Sequence, residues 1–292
     1  MLPSYNQARF LRRTLNTIAN QHYRNLQLIV MDGGSSDGSQ AIIDEFRDIV
    51  AHSESGPDGG QAAAINKGFA RADGDFVAWQ NSDDLYLPGF FQAIDAAVAL
   101  NPKAELIIAN SYVVDPDDRI LWATRYGPFS RRYLAYVGWN MTSQSVFVRR
   151  SLAERVGPLP HLNVAFDYDW FLRVAAAARH VVELKRYGGC YRIHPESKFA
   201  TATDARAREA LDLHVLADLG YSADPSRPLA QQWVIRRAAL TAWQRLNQTM
   251  LYSERAEGSA LASAWASLLQ ALRPGMLGYT GRPPSRSTPR PS

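Results

Sequence analysis

The feature that most constrains this chain is the alternation, through its first half, of short apolar runs with stretches whose apolar residues recur at helical spacing. Phe10, Leu11, Leu15, Ile18 and Ala19 form a helical stripe, Leu26 to Met31 reads as a buried strand, and Ile42, Ile43, Phe46 and Val50 predict a second helix. The pattern then repeats, with a helix over 62–70, a short strand over 76–79 and a helix over 90–100 that Asn101-Pro102 ends. Strand and helix in alternation specify βαβ units, so the expected class is α/β with a mostly parallel sheet flanked by helices.

After residue 104 the character changes. Segments 105–114 and 119–126 predict two strands joined by the turn Asp115-Pro116-Asp117-Asp118, which makes a hairpin. Segment 143–148 reads as a strand, 151–156 as a short helix and 167–178 as a strong one. From about Asp204 the pattern is helical only, and 282–292 is Pro, Ser and Arg with no apolar content. The expected organisation is therefore a main domain over 1–203, a helical region over 204–281 and a disordered tail over 282–292.

Composition removes several function classes. An apolar share of 46% suffices for a real core. Thirty-two basic against 28 acidic residues leave a net charge of +4, too little to argue for nucleic acid. A single cysteine, Cys190, excludes an internal disulfide and a cysteine zinc cluster and suits a reducing compartment. No apolar run approaches the ~20 residues that cross a bilayer, so a cytoplasmic location is the expectation. Stripes such as Trp233, Ile235, Ala238, Ala239, Ala242 and Leu246, near Arg236, Arg237 and Arg245, leave open either helix packing or a peripheral contact with an anionic membrane face.

Five segments carry the candidate chemistry. Pro3-Ser4-Tyr5-Asn6 precedes the first helix, at the strand end where open α/β sheets bind ligands, although for these four residues alone a loop with an N-cap is the commoner explanation. The strand ending at Asp32 runs into Gly33-Gly34-Ser35-Ser36-Asp37-Gly38. There the glycines permit close approach to the backbone, and the carboxylate can accept hydrogen bonds from a base or a ribose; a turn capped by Ser36 or Asp37 is the plainer alternative. Asp58 and Gln61 lie in a Gly-rich loop that opens a helix, a place where a diphosphate can rest. The strongest local signal is Gln80-Asn81-Ser82-Asp83-Asp84: two adjacent carboxylates at a strand end repel unless a cation or donors offset them, and such oxygen ligands suit Mg²⁺ or Mn²⁺. Asp167 and Asp169 stand two apart at a helix start, so one can cap the helix while the other faces outward.

Taken in order, these segments resemble the inverting family 2 glycosyltransferases of the GT-A fold, over roughly residues 1–200. The resemblance implies that Pro3, Ser4, Tyr5 and Asp32, with Asp58, Gln61 and Ser82, hold the nucleotide of a nucleotide-diphosphate-sugar donor. It implies further that Asp83 and Asp84 hold a divalent metal and that Asp167 is the catalytic base for an acceptor hydroxyl. Tyr191-Arg192-Ile193-His194 resembles a late His segment of the family, which would add His194 to the metal or diphosphate. Trp139-Asn140-Met141-Thr142-Ser143-Gln144 resembles its acceptor-side loop. The chain departs in carrying Asn81 where the metal motif usually begins with Asp, and Phe166 where an acidic residue usually precedes the base. Only Met1 and Leu2 stand before Pro3, where the family has a full apolar strand. The first strand therefore reads as truncated, because either the true start lies upstream or the sheet lacks its central strand.

The function implied is sugar transfer with inversion to a glycan or lipid-linked acceptor, as in bacterial-type surface polysaccharide or glycolipid synthesis. A nucleotidyltransferase is a rival, though it normally needs a basic Gly-rich loop and the first loop here is acidic. A non-catalytic sugar-nucleotide or glycan-binding module is a second rival.

Overall fold

The computed structural model describes residues 1–126, 128–131, 134, 141–162 and 166–197. The helical region expected over 204–281 and the tail over 282–292 lie outside these residues, as do Trp139 and Asn140.

The first βαβ units form as expected. Strand β1 (Leu2–Ser4), helix α1 (Ala8–Ala19), strand β2 (Leu28–Asp32), helix α2 (Ser39–Glu45) and strand β3 (Val50–Ser55) follow in order. The three strands are parallel with β2 in the middle, in a register that sets Ser4 beside Asp32 and Asp32 beside Ser55. One expectation is corrected here: Val50 does not continue the helix of Ile42 and Ile43 but opens β3, whose mostly exposed, polar residues hid it from an apolar pattern search.

Helix α3 (Gln61–Ala70), strand β4 (Phe76–Val77), strand β5 (Leu85–Tyr86) and helix α4 (Phe90–Leu100) come next. The predicted hairpin is β6 (Leu106–Val114) with β7 (Ile120–Thr124), antiparallel. A 3₁₀ turn at Ser143–Ser145 stands where the start of a strand was expected, and leads into β8 (Val146–Arg149), α5 (Arg150–Val156) and α6 (Phe166–Ala177). A twelve-residue strand, β9 (Val181–Arg192), has no counterpart in the sequence reading; its alternation is broken by Lys185, Arg186 and two glycines. The second sheet runs β4-β8-β6-β9-β5, with β7 on β6, and within it only the β6–β9 pair is parallel.

The first strand is present, though short. Residues Leu2 to Ser4 are all buried, and Met1, just ahead of them, joins the two sheets: its amine donates to the Ala78 carbonyl at 3.0 Å and its carbonyl accepts the Gln80 N–H at 3.0 Å. Met1 also explains Gly68, a glycine inside α3 where alanine would favour the helix, because a β-carbon there would overlap the Met1 side chain. Alternation along the strands supplies both faces of the sheet. Leu28 and Val30 pack with α1, α2 and α4, whereas Ile29 and Met31 meet Ala64 of α3. Likewise Ile107 and Ala109 face the first core, and Leu106 and Ile108 join a second one with α5 and α6.

Burial of the Met1 amine pushes it down from 8.0 to about 5. In a polypeptide that begins at Met1, the unfolded chain would take up a proton between pH 8 and 5 that the folded chain refuses. Stability is unaffected through this group above pH 8, falls as pH drops through that window by up to about 1.4 kcal/mol per pH unit, and levels off below it. Urea unfolding at several pH values is expected to show this slope, and acetylating the amine should flatten it; identical slopes with and without the acetyl group would contradict the assignment.

Candidate active site

The ends of β1, β2 and β3 form the first part of the site. The Ser4 carbonyl accepts the Gly33 N–H at 2.8 Å, which ties the chain after β1 to the loop after β2. Buried Asp32 is held by that loop and by β3: its carboxylate accepts the Gly34 and Ser35 N–H groups at 3.2 and 2.9 Å, the Ser35 hydroxyl at 2.5 Å and the Ser55 hydroxyl at 2.7 Å. Tyr5 is 62% exposed, and its ring lies over Gly33, where an added β-carbon would come within 3.1 Å of the ring and 3.3 Å of the Asp58 carboxylate. Tyr5, Asp32, Gly33 and Asp58 thus converge, with an aromatic face open to solvent. Pro3 and Ser4 are buried behind it in β1, and the Ser4 hydroxyl has no hydrogen-bond partner.

The second part is the turn after β4. Thr14 of α1 is buried and donates its hydroxyl to the Ser82 carbonyl at 2.9 Å and the Asp84 carbonyl at 2.8 Å, so the helix grips the turn from one side. A Thr within the apolar stripe of α1 is the sequence signal for that grip. Ser82 itself is buried. From the other side Gln61, at the start of α3, donates to the Asn81 side-chain oxygen at 2.9 Å, and the Asn81 amide donates to Asp84 at 2.9 Å.

The two adjacent carboxylates diverge. Asp84 is fully buried, and its oxygens accept the Asn81 and Gln144 amides at 2.9 and 2.5 Å and the Arg192 N–H at 2.8 Å. Burial, then the neighbouring Asp83 charge, hold its pKa well above the usual carboxylate range despite these donors. Asp83 turns the other way, with 19% of its side chain exposed, and one oxygen lies 3.0 Å from Nε2 of buried His194. The expectation that both carboxylates face one metal thus meets an arrangement in which Asp84 is committed to protein donors. Among the described residues no group of three His, Cys, Asp or Glu side chains gathers to hold a cation.

The contacts of Gln144 and Arg192 with Asp84 join segments far apart in the chain. Gln144 reaches Asp84 because β9 carries Gly189, where any β-carbon would overlap the Gln144 backbone and side chain. Described residues of the predicted acceptor-side loop therefore contact the carboxylate turn.

The third part is α6. Asp169 forms an ion pair with Arg173, whose Nε and Nη2 donate to one carboxylate oxygen at 2.9 and 2.7 Å while its guanidinium also reaches the Val156 and Pro158 carbonyls. Asp167 is half-buried and accepts the Tyr168 N–H at 2.9 Å. The helix is seated by Trp79, which stacks on Phe171 at 5.1 Å and meets Trp170 edge-on at 5.5 Å. Because Trp79 stands five residues before Asp84, one aromatic side chain locates both α6 and the carboxylate turn.

Comparison with known proteins identifies the family and the fold. The family model described as glycosyl transferase family 2 matches residues 1–157. An uncharacterised glycosyltransferase of Nostoc sp. is 26% identical over 227 residues, 72% of this chain and 68% of that one. Among solved structures, TarS 1-349 of S. aureus in complex with UDP-GlcNAc aligns over 93% of this chain and 80% of its own, at a TM-score of 0.63 and 16% identity. The mannosyltransferase PcManGT of Pyrobaculum calidifontis, in complex with GDP-Man and Mn²⁺, aligns over 92% of this chain and 73% of its own, at 0.56 and 18%. At these identities the two structures establish the GT-A fold.

Removing the Asp84 side chain strands three donors, two of them buried, whereas removing that of Asp83 strands the His194 ring nitrogen alone. Asp84→Ala is expected to lower unfolding stability by ~3 kcal/mol and Asp83→Ala by under ~1 kcal/mol. Urea denaturation of the two variants checks this, and equal losses would show that the carboxylates are not divided as described.

Proposed function

The chain belongs to glycosyl transferase family 2, and from that premise we propose that it moves a sugar from a nucleotide-diphosphate-sugar donor to an acceptor hydroxyl with inversion at the anomeric carbon. The observation that carries this reading is the pairing of Asp83 with His194, next to a loop system whose Tyr5 face is open. Support for the donor class comes from TarS and PcManGT, which hold UDP-GlcNAc and GDP-Man.

A divalent cation fits the Asp83 and His194 donor set. Asp83 would offer a hard carboxylate oxygen and His194 a ring nitrogen to such a cation, and the two atoms face each other at 3.0 Å. Two protein ligands leave the remaining positions to water and to a substrate diphosphate, the usual habit of Mg²⁺. The cation, when bound, would stabilise negative charge on the departing diphosphate, so no protein acid is needed there.

In the nucleotide half, the exposed ring of Tyr5 supplies a flat apolar surface for a base, and Asp58 lies beside it. Asp32 keeps the loop in place with oxygens already accepting four hydrogen bonds, so it both shapes the loop and borders the ribose position. On the acceptor side, Asp167 takes the proton of the attacking hydroxyl. That oxygen forms its bond to the anomeric carbon as the bond to the diphosphate oxygen breaks, and the electron pair leaves with the nucleoside diphosphate. Asp169, neutralised by Arg173, is the poorer candidate for the base. The acceptor class we propose is a glycan or a lipid-linked hydroxyl. Among the described residues no helix is long and apolar enough to cross a membrane, so contact with a lipid-linked acceptor would be peripheral.

Two substitutions test the reading. Asp83→Ala is expected to abolish Mn²⁺-dependent release of nucleoside diphosphate from the donor, and near wild-type turnover with Mn²⁺ would remove the metal from the mechanism. Asp167→Asn should leave donor binding intact and lower turnover by ~10² to 10⁴; a far larger loss in Asp169→Asn would move the base to that residue.

A further inference from the structure

We propose that Arg192 is a positioning residue for the metal end of the site, fixing Asp83 through its backbone and coupling it to the tip of the β6–β7 hairpin. This rests on the reading of Asp83 and His194 as cation ligands. Arg192 ends β9 and is among the most deeply buried side chains of the protein. Burying a guanidinium is costly unless charge and hydrogen bonds offset it, and the partners of this one lie in the carboxylate turn and at the tip of the β6–β7 hairpin. Its backbone N–H holds Asp84 at 2.8 Å, and its Nε donates to the Asp83 carbonyl at 2.6 Å. Its Nη1 donates to the Asp115 carbonyl at 2.9 Å and forms an ion pair with Asp118 at 2.6 Å.

Two further details point from support of the fold to placement of the site. The ring of Phe10 touches both Arg192 and His194, 4.9 Å from the guanidinium carbon and 4.7 Å from the imidazole centroid, so the two share one aromatic neighbour, over which Arg9 also lies at 4.9 Å. Asp118 holds a positive φ of 66°, a conformation uncommon outside glycine though tolerated by Asp, and it also pairs with Arg13 of α1. The hairpin tip is therefore locked onto the carboxylate turn through one guanidinium, and both candidate ligands, Asp83 and His194, are within one contact of it or of Phe10. A lysine cannot make this set of bonds, because a single ammonium has no planar fork to span the Asp83 carbonyl, the Asp115 carbonyl and Asp118 together.

The test is Mn²⁺ binding to the full chain in the presence of uridine diphosphate, read by loss of the free-ion electron paramagnetic resonance signal, with thermal unfolding measured alongside. Arg192→Lys is expected to keep a cooperative unfolding transition and to bind Mn²⁺ roughly 10- to 100-fold more weakly, the usual loss when a group that orients a metal ligand is removed. A lowered melting temperature with Mn²⁺ affinity within twofold of the parent chain would make Arg192 a fold-stabilising residue only and overturn the proposal. If Arg192→Lys does not fold, Asp118→Asn carries the test, since Asn tolerates the same backbone conformation. There a several-fold weakening supports the coupling, and affinity within twofold overturns it. Absence of Mn²⁺ binding in the parent chain would overturn the metal reading itself and this inference with it, whereas normal binding in the parent and both variants would overturn this inference alone.

Discussion

The arrangement around the candidate site depends on the burial of one carboxyl group. Asp84 has no contact with solvent, and an acidic side chain withdrawn from water must be met by donors or remain protonated. The donors that meet it come from separate parts of the chain: Asn81 in its own turn, Gln144 in the 3₁₀ turn before β8, and the backbone of Arg192 at the end of β9. Asn81 in turn is held by Gln61 of α3. Satisfying Asp84 therefore draws the parallel first sheet and the mixed second sheet to one point, and its partly exposed neighbour Asp83 is left facing His194. The asymmetry between two chemically identical neighbours is the physical core of the site.

How much of this was legible in the sequence depended on whether a residue signals by its side chain's own pattern or only by what it meets. The βαβ alternation was visible because Leu28 to Met31 and the stripe of α1 repeat at strand and helix periods, and Asp83 and His194 stood in segments resembling a known family. The edge strand β3 was not legible, because it buries almost nothing and exposes its polar residues. Strand β9 was obscured for a different reason: Gly188 and Gly189, which weaken any strand signal, are there to admit Phe90 and Gln144.

The adjacent carboxylates mark the limit of sequence reasoning most clearly. Asp83 and Asp84 have the same chemistry and adjacent positions, so nothing in the pattern says which faces inward. That is decided by Gln144 and Arg192, 60 and 108 residues away in the chain. Similarly, Asp169 differs from its identical neighbour Asp167 in its ion pair with Arg173, one helical turn beyond it, a spacing that the sequence does display.

The start of α1 has a consequence for how charge is distributed across the nucleotide half. The amide of Ala8 donates to the Asp37 carboxylate at 2.8 Å, that of Gln7 to the Ser39 hydroxyl at 3.2 Å and that of Asn6 to the Ser35 hydroxyl at 2.8 Å. The positive end of this helix, often the place where a fold receives a phosphate, is already closed by the loop after β2. On the proposed reading, an incoming diphosphate would meet the Asp37 carboxylate here in place of the amides of Gln7 and Ala8, and compensation of its charge would have to come from the opposite side of the cradle.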